Sequence, residues 1–346
     1  MSSLKEKTIT VVGSGLIGRS WAMVFLSGGY KVKIYDNKAG QASAAISEIK
    51  KQLVELQQAR MLRGNLSAAE QLSLLSSHDD LQQALEGAYF VQECVFEDLE
   101  AKQTVFQEVE NLVTENVILS SSTSCLMPSN VFCRVKNQTR CIISHPVNPP
   151  YYVRLVELVP HPKTHETVMD VAYSLMTDVG QAPVRLRKEI DGFALNRVQY
   201  AIIAESWRLV QFEGYPTIDF QLGVHLGPLR ESQFWKVEQL GKDGVISVKD
   251  IDLVMSEGLG MRYAFLGPIE TMHLNAPEGI EDYLQRYSEG IKRVLTTFGP
   301  VPEFSGEAAA RITKEISELI PGDQEHLTGR RERRDQMLMG LAKLKK

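Results

Sequence analysis

The sequence predicts an α/β protein with a doubly wound parallel sheet, followed by an all-helical C-terminal domain. Three observations carry that expectation. Residues 13–18 read G-S-G-L-I-G and join the β-branched run Thr8–Val12 to a stretch of helical composition, 19–27. Short apolar runs then recur through residue 186, separated by amphipathic segments, which is the pattern of strands alternating with helices. Finally, the chain has 346 residues, about twice the size of a usual domain.

In the first turn each glycine has a physical reason. Gly13 permits the tight strand-to-helix reversal, Gly15 lets the backbone approach a pyrophosphate, and Gly18 lets the helix pack closely on the strand. The free N–H groups and positive dipole end of the helix would face the phosphates. A second strand, 32–35, ends at Asp36, where a carboxylate accepts hydrogen bonds from ribose hydroxyls and repels a 2′-phosphate. Strand, turn, helix, strand and acid together predict a Rossmann-type domain that binds NAD rather than NADP.

The remaining elements follow in order. Residues 38–63 read as one long helix, with Ala42, Ala45, Ile46, Ile49, Leu53 and Leu56 near a period of 3.6. Ser67 reads as an N-cap with Glu70 completing a capping box, and a shorter helix covers 80–86. A strand at 88–91 leads into E-C-V-F-E-D-L-E-A-K, which puts Glu97 and Lys102 at a strand-to-helix junction, where such sheets bind ligands. Taken alone, both read as solvated charges. The strand 117–119 runs into S-S-S-T-S-C-L, a capping device and also a set of hydroxyls at the ligand edge, and Pro128 suits the first turn of a helix. The run 141–144 ends in H-P-V-N-P-P, so His145 sits at a strand end held by prolines. Glu157 lies inside the apolar strand 155–159, where a carboxylate is costly unless paired, and His145 is its natural partner. A helix over 165–179 and a strand over 182–186 close the sheet, and D-G-F-A-L-N-R opens a helix to Val210 with Asn196 in its first turns. The predicted organisation is a nucleotide-binding domain over 1–190, a helical domain over 191–330 and a basic tail over 331–346.

Composition narrows the function classes. Hydrophobic residues make up 43% and charged residues 23%, with a formal net charge of −5, which argues against a nucleic-acid-binding body. No apolar run approaches the ~20 residues that span a bilayer, and the first residues have neither a signal-peptide core nor the character of a mitochondrial presequence, so the cytosol is the expected compartment and no membrane partner is expected. The cysteines 94, 125, 133 and 141 form no CxxC and have no paired histidine spacing, so buried thiols are expected and no metal site.

The segments S-T-S-C-L (122–126), H-P-V-N-P (145–149), L-V-E-L-V (155–159) and G-F-A-L-N-R (192–197) resemble the 3-hydroxyacyl-CoA dehydrogenase superfamily. I-G-R-S-W-A, Q-E-C-V-F-E-D-L, H-P-V-N-P-P-Y-Y and M-S-E-G-L-G-M-R-Y-A-F-L-G-P are similar to its branch that oxidises the free sugar acid L-gulonate at the 3-hydroxyl. The resemblance runs from about residue 8 to residue 345. It implies a catalytic His145 paired with Glu157, Ser124 and Asn196 lining the reaction site, and NAD contacts from Leu16, Ile17, Asp36, Glu97 and Lys102. It also implies a small hydroxy acid as substrate and a homodimer formed through the helical domain. The chemistry suits these residue types: a neutral histidine takes the hydroxyl proton near pH 7 while hydride leaves for the nicotinamide. A cation for the substrate carboxylate is expected at Arg154 or Arg262. The alternatives are a 3-hydroxyacyl-CoA dehydrogenase and, from another class, a bulk structural protein; the presence of all four reacting residues favours retained chemistry.

The resemblance breaks once. W-R-L-V ends at Val210 and K-D-G-V-I-S-V-K-D-I-D-L-V-M resumes at Lys242, leaving 211–241 as an extra, aromatic and glycine-punctuated stretch. It reads either as a lid or docking loop, or as a variant segment of the kind a retained intron adds. Loops of this length without structure of their own are uncommon in compact domains, which favours the second reading.

Overall fold

The computed structural model describes residues 6–211, 248–274, 276, 278–295 and 304–344. The extra stretch 211–241 lies, beyond Gln211, outside the described residues. Two compact units are present, one made of Met1–Val198 with Arg333–Lys346, the other of Gln199–Glu332.

The first unit is built on eight strands: β1 (Thr8–Val12), β2 (Lys31–Tyr35), β3 (Leu75–His78), β4 (Ala88–Glu93), β5 (Ile118–Ser121), β6 (Cys141–Pro146), β7 (Leu155–Pro160) and β8 (Ala182–Arg185). Their order is β3-β2-β1-β4-β5-β6-β7-β8, so the chain reverses its direction of growth between β3 and β4, the doubly wound pattern. The strands from β3 to β6 run parallel. β7 turns back antiparallel to β6, and β8 follows β7 in parallel. Only residues 147–154 separate β6 from β7, too few for the crossover of a dozen or more residues that a parallel neighbour needs. The reversal places His145 directly opposite Glu157 in the ladder.

Helices cover both faces. On one lie α1 (Leu16–Ser27), α2 (Gln41–Gln58), α3 (Ala68–Ser73) and, further along the chain, a helix at Glu166–Asp178 (α7); on the other lie α4 (Leu81–Leu85), α5 (Leu99–Leu112) and α6 (Pro128–Val131). Strand residues alternate between two cores as the pleat requires: Ile9, Val11, Phe90, Ile118 and Ile142 join the first, and Val12, Val91, Leu119 and Ile143 the second. α1 is apolar almost all round. Trp21, Phe25 and Leu26 are fully buried, each contributing roughly 1.5–3 kcal/mol by burial, and the Trp21 and Phe25 rings stack at 5.2 Å.

Local signals explain the element ends. The Ser67–Glu70 capping box is formed in both directions, Asp80 caps α4, and Pro128 opens α6. α2 is shorter than the periodicity suggests, because Arg60 takes a left-handed φ of 57° just past the helix end at Ala59. β3 was not expected. Its sequence, L-S-S-H, has neither alternation nor β-branched residues, and its pairing with β2 makes it an edge strand.

The described part of the second unit is helical. α8 (Leu195–Gln211) leads into it, and α9 (Val248–Leu253), α10 (Gly260–Tyr263), α11 (Pro268–Leu274), α12 (Ile280–Leu295) and α13 (Gly306–Leu319) follow. A turn of π-helix, Val254–Leu259, joins α9 to α10. The last helix, α14 (Gln324–Leu344), carries the basic tail. No described helix is long and apolar enough to cross a membrane.

Candidate active site

The sequence-predicted residues gather at the carboxyl ends of the parallel strands, in three groups. The first is the β1–α1 turn. Gly13 has φ +102°, and a Cβ there would lie 2.7 Å from the Cys94 backbone; a Cβ on Gly18 would lie 1.8 Å from the Gly13 carbonyl oxygen. Gly15 caps α1 and faces open space, with nothing within 4 Å of a Cβ. The turn is thus tight where helix and strand meet and open where a phosphate would approach the helix end, whose first turn holds no acidic side chain. Leu16 is 54% exposed, whereas Ile17 packs partly against the core. Asp36, at the end of β2, accepts the Ser14 amide and hydroxyl at 2.9 and 2.7 Å on Oδ2, and the Lys38 amide at 3.1 Å on Oδ1. A carboxylate offers about four acceptor sites, so capacity for a ribose hydroxyl remains. These residues fit a dinucleotide.

The second group joins β4, α5 and β5. Lys102 is only 1% exposed. Its ammonium lies 2.9 Å from Glu93, 3.3 Å from Glu97 and 3.2 Å from the Val95 carbonyl. Burial opposes the Lys102 charge, but the Glu93 carboxylate and its hydrogen bond, with Glu97 beyond, more than restore it and hold the ammonium above its ordinary value. Glu93 also accepts the Ser121 hydroxyl at 2.5 Å and the Val95 amide at 2.6 Å. Glu97 receives the Thr123 hydroxyl at 2.5 Å, the Ser124 amide at 2.8 Å and the Ser124 hydroxyl at 3.2 Å. Burial pushes the Glu97 carboxyl up; the Thr123 hydrogen bond, Lys102 and the Ser124 amide outweigh it and hold Glu97 below the usual carboxylate range.

The third group is the His145–Glu157 pair. His145 Nδ1 lies 2.8 Å from Glu157 Oε2, and the two residues are 5% and 1% exposed. Glu157 Oε1 accepts the Ala194 and Leu195 amides at 2.8 and 2.9 Å, at the very start of α8. The buried carboxylate therefore holds both the histidine ring and the helix that carries Asn196. Burial pushes the Glu157 carboxyl up, but the bonds from His145, Leu195 and Ala194 hold it below the ordinary range. The Phe193 ring, in a left-handed backbone at φ 49°, lies 5.7 Å from the imidazole centroid and covers it. Asn196 Nδ2 donates to the Ser124 carbonyl at 2.7 Å, which links the third group to the second.

Some expectations concern residues outside this cluster. Arg154 donates Nε to the Gly180 carbonyl and lines a hollow that His145, Glu157, Ser124 and Asn196 do not line. The Arg262 side chain lies outside the described residues. Sequence reasoning did not single out Glu93, Thr123 or the Ala194 and Leu195 amides. Glu93 was findable by the argument used for Glu157, as a carboxylate ending an apolar strand with a lysine in the following helix. Among the described residues, no group of three or more His, Cys, Asp or Glu is placed to hold a metal ion, and the four cysteines are free thiols.

Known proteins place this arrangement. The family profile for the 3-hydroxyacyl-CoA dehydrogenase NAD binding domain matches residues 8–190, and the profile for the 3-hydroxyacyl-CoA dehydrogenase C-terminal domain matches 234–314. The chain is 50% identical over 345 residues to the lambda-crystallin homolog of Homo sapiens, covering 100% of this chain and 98% of that one. It is 31% identical over 291 residues to the 3-hydroxyacyl-CoA dehydrogenase of Gibberella moniliformis, covering 83% and 79%. The solved structure of an NAD+-dependent dismutase, 5-formyl-3-hydroxy-2-methylpyridine 4-carboxylic acid 5-dehydrogenase, shares the fold with a TM-score of 0.76 over 98% of both chains, at 20% identity. With a dinucleotide cradle, a buried histidine–carboxylate pair and both family domains in sequence, the chain belongs to the 3-hydroxyacyl-CoA dehydrogenase family and is an NAD-dependent dehydrogenase of 3-hydroxy acids or their acyl thioesters.

Proposed function

We propose that the protein oxidises L-gulonate to 3-dehydro-L-gulonate, with His145 as the base. The observation that carries the base assignment is the buried 2.8 Å contact between His145 Nδ1 and Glu157. A carboxylate held below its ordinary range is ionised at neutral pH and can only accept, so the Nδ1 hydrogen points at Glu157 and the Nε2 lone pair is left for the substrate hydroxyl. As the imidazole takes the proton, Glu157 stabilises the positive charge that forms. NAD, when bound, supplies the hydride acceptor. Leu16, Ile17, the glycine turn and Asp36 would hold its adenosine diphosphate half, and Glu97, held in place by the buried Lys102, would face the cofactor from the β4–α5 junction. Ser124 and Asn196 hydrogen-bond the reacting oxygen and hold the carbinol carbon in position.

The choice of L-gulonate rests on the segments around Arg19 and Tyr151, which resemble the branch that acts on the free acid. A 3-hydroxyacyl-CoA thioester is the second reading, supported by the Gibberella relative. NADH formation with L-gulonate, beside reduction of acetoacetyl-CoA, decides between them. His145→Gln should lower kcat by about 10²–10⁴-fold with the true substrate. Comparable rates with the thioester would sink the free-acid reading, and near-normal kcat in the variant would remove His145 from the mechanism. The same assay on a chain lacking 211–241 tests whether that stretch is dispensable; activity only in the shortened chain would mark it as disabling. We also read the assembly as a cytosolic homodimer through the helical unit, which leaves Phe265, Ile269 and Tyr287 exposed. A monomeric mass by light scattering would overturn the dimer.

A further inference from the structure

A hollow of about 210 Å³ opens in the first unit; Arg154 lines it, whereas His145, Glu157, Ser124, Asn196 and the residues assigned to NAD do not. Its walls come from five separate parts of the chain. Ser27 ends α1, Arg63 follows α2, Tyr151 and Arg154 lie between β6 and β7, Asp178 ends α7, and Lys343 lies in the last turn of α14. Three cations thus meet one acid around a cavity, two of them seated on the carbonyls that follow α7.

The two guanidinium groups are fixed by backbone rather than by carboxylates. Arg63 donates Nη1 to the Tyr151 carbonyl at 3.0 Å and Nη2 to the Val179 carbonyl at 2.9 Å, and its guanidinium lies 5.3 Å from the Tyr151 ring centroid. The Tyr151 hydroxyl accepts the Arg63 amide at 2.8 Å. Arg154 donates Nε to the Gly180 carbonyl at 2.8 Å. Among the described residues, neither arginine forms an ion pair. The one acid on the wall, Asp178, accepts the Tyr30 hydroxyl at 2.8 Å. Burial lowers the Arg63 pKa to about 10; Tyr151 opposes that shift and the neighbouring Arg154 adds to it. Among the described residues, the charge of these arginines is met by backbone carbonyls and the Tyr151 ring rather than by a carboxylate bound to either.

We propose that this hollow is a binding site for a small phosphate-bearing anion, held between Arg63, Arg154 and Lys343. An arginine carries five N–H donors in a rigid fork, and the carbonyl bonds use two on Arg63 and one on Arg154, leaving both forks oriented and with donors to spare. Three cations approaching from different segments suit the oxygens of a tetrahedral dianion better than the single plane of a carboxylate. The hollow is open to solvent and has room for a phosphate with a short carbon chain. Occupancy would also tie the end of α14 to the sheet unit through Lys343.

Inorganic phosphate and a phosphate monoester share this chemistry, and the test separates them. Full-length protein is saturated with NAD, so that the α1 phosphate cradle is filled, and titrated calorimetrically with inorganic phosphate and with glycerol 3-phosphate at constant ionic strength. One site is expected, weakened about tenfold or more in Arg154→Gln and in Lys343→Gln, each of which removes one charged donor. Both side chains are exposed, so folding is preserved in these variants. Equal affinity for the two anions identifies the inorganic ion, and a preference for the ester identifies the monoester. The proposal is overturned by absence of binding in the wild type, or by unchanged affinity in both variants.

Discussion

Replacing Glu157 by Gln tests the central pair with almost no change of volume. The native carboxylate holds three bonds, to His145 Nδ1, Ala194 N and Leu195 N, at 2.8, 2.8 and 2.9 Å. A glutamine has one accepting oxygen. If it stays on the two α8 amides, its NH2 faces the imidazole, and the ring must present Nδ1 as an acceptor, moving its hydrogen to Nε2. The histidine then cannot accept the substrate proton, and kcat should fall by roughly 10²–10⁴-fold. If it turns to serve His145 instead, two amides at the α8 terminus lose their acceptor. Hydrogen bonds to a charged group contribute roughly 1.5–3 kcal/mol each and neutral ones roughly 0.5–1.5, so the exchange costs about 3 kcal/mol of stability. The assay is kcat by NADH absorbance well below the melting temperature, beside Tm from thermal denaturation. The reasoning requires kcat to drop if the glutamine oxygen stays on the amides, and Tm to drop if it turns to His145. A kcat within about threefold of wild type together with an unchanged Tm would show that Glu157 sets neither the imidazole tautomer nor the α8 terminus.

Three further outcomes are expected. Gly18→Ala places a methyl 1.8 Å from the Gly13 carbonyl, so the turn must open; NAD affinity should fall by about tenfold or more, and an unchanged NAD Kd by fluorescence quenching would contradict the cradle. Lys102→Met leaves the buried Glu93 carboxylate without its cation and should cost about 3–5 kcal/mol in denaturant unfolding, with part regained in the Lys102→Met/Glu93→Gln double variant; additive losses would mean the pair does not act as a unit. Glu97 and Glu157 are both held below their unfolded values, so their contribution is fully present above the unfolded carboxylate pKa, near pH ~4.3, and is lost as pH falls through the lower folded values. Tm should therefore decline on acidification below that range, with a shallower decline in Glu157→Gln, and identical acid profiles would refute the assignment.

Much of the site was legible because burial and chemistry conflict openly in one-dimensional text. A carboxylate among Leu155, Val156, Leu158 and Val159 demands a partner, and the partner is His145. The glycine turn was legible because strand, turn, helix and acid occur in a fixed order. What stayed hidden was set by geometry that residue identity does not encode. The L-S-S-H strand is held by its pairing with β2 rather than by its own propensity. The reversal of β7 follows from the short 147–154 connection, a cue of length rather than composition. The Ala194 and Leu195 amides carry no side-chain signature, since any residue there supplies the same N–H groups.

Because the histidine–glutamate contact is a rung of a strand ladder, it depends on the length of the loop between the two residues, which forces the reversal, and on the register of the two strands. Ladder hydrogen bonds fix which residues face each other, and a slip of one position would turn Glu157 to the opposite face of the sheet. Within the 147–154 segment, chain length rather than side-chain identity is what the proton-transfer pair requires.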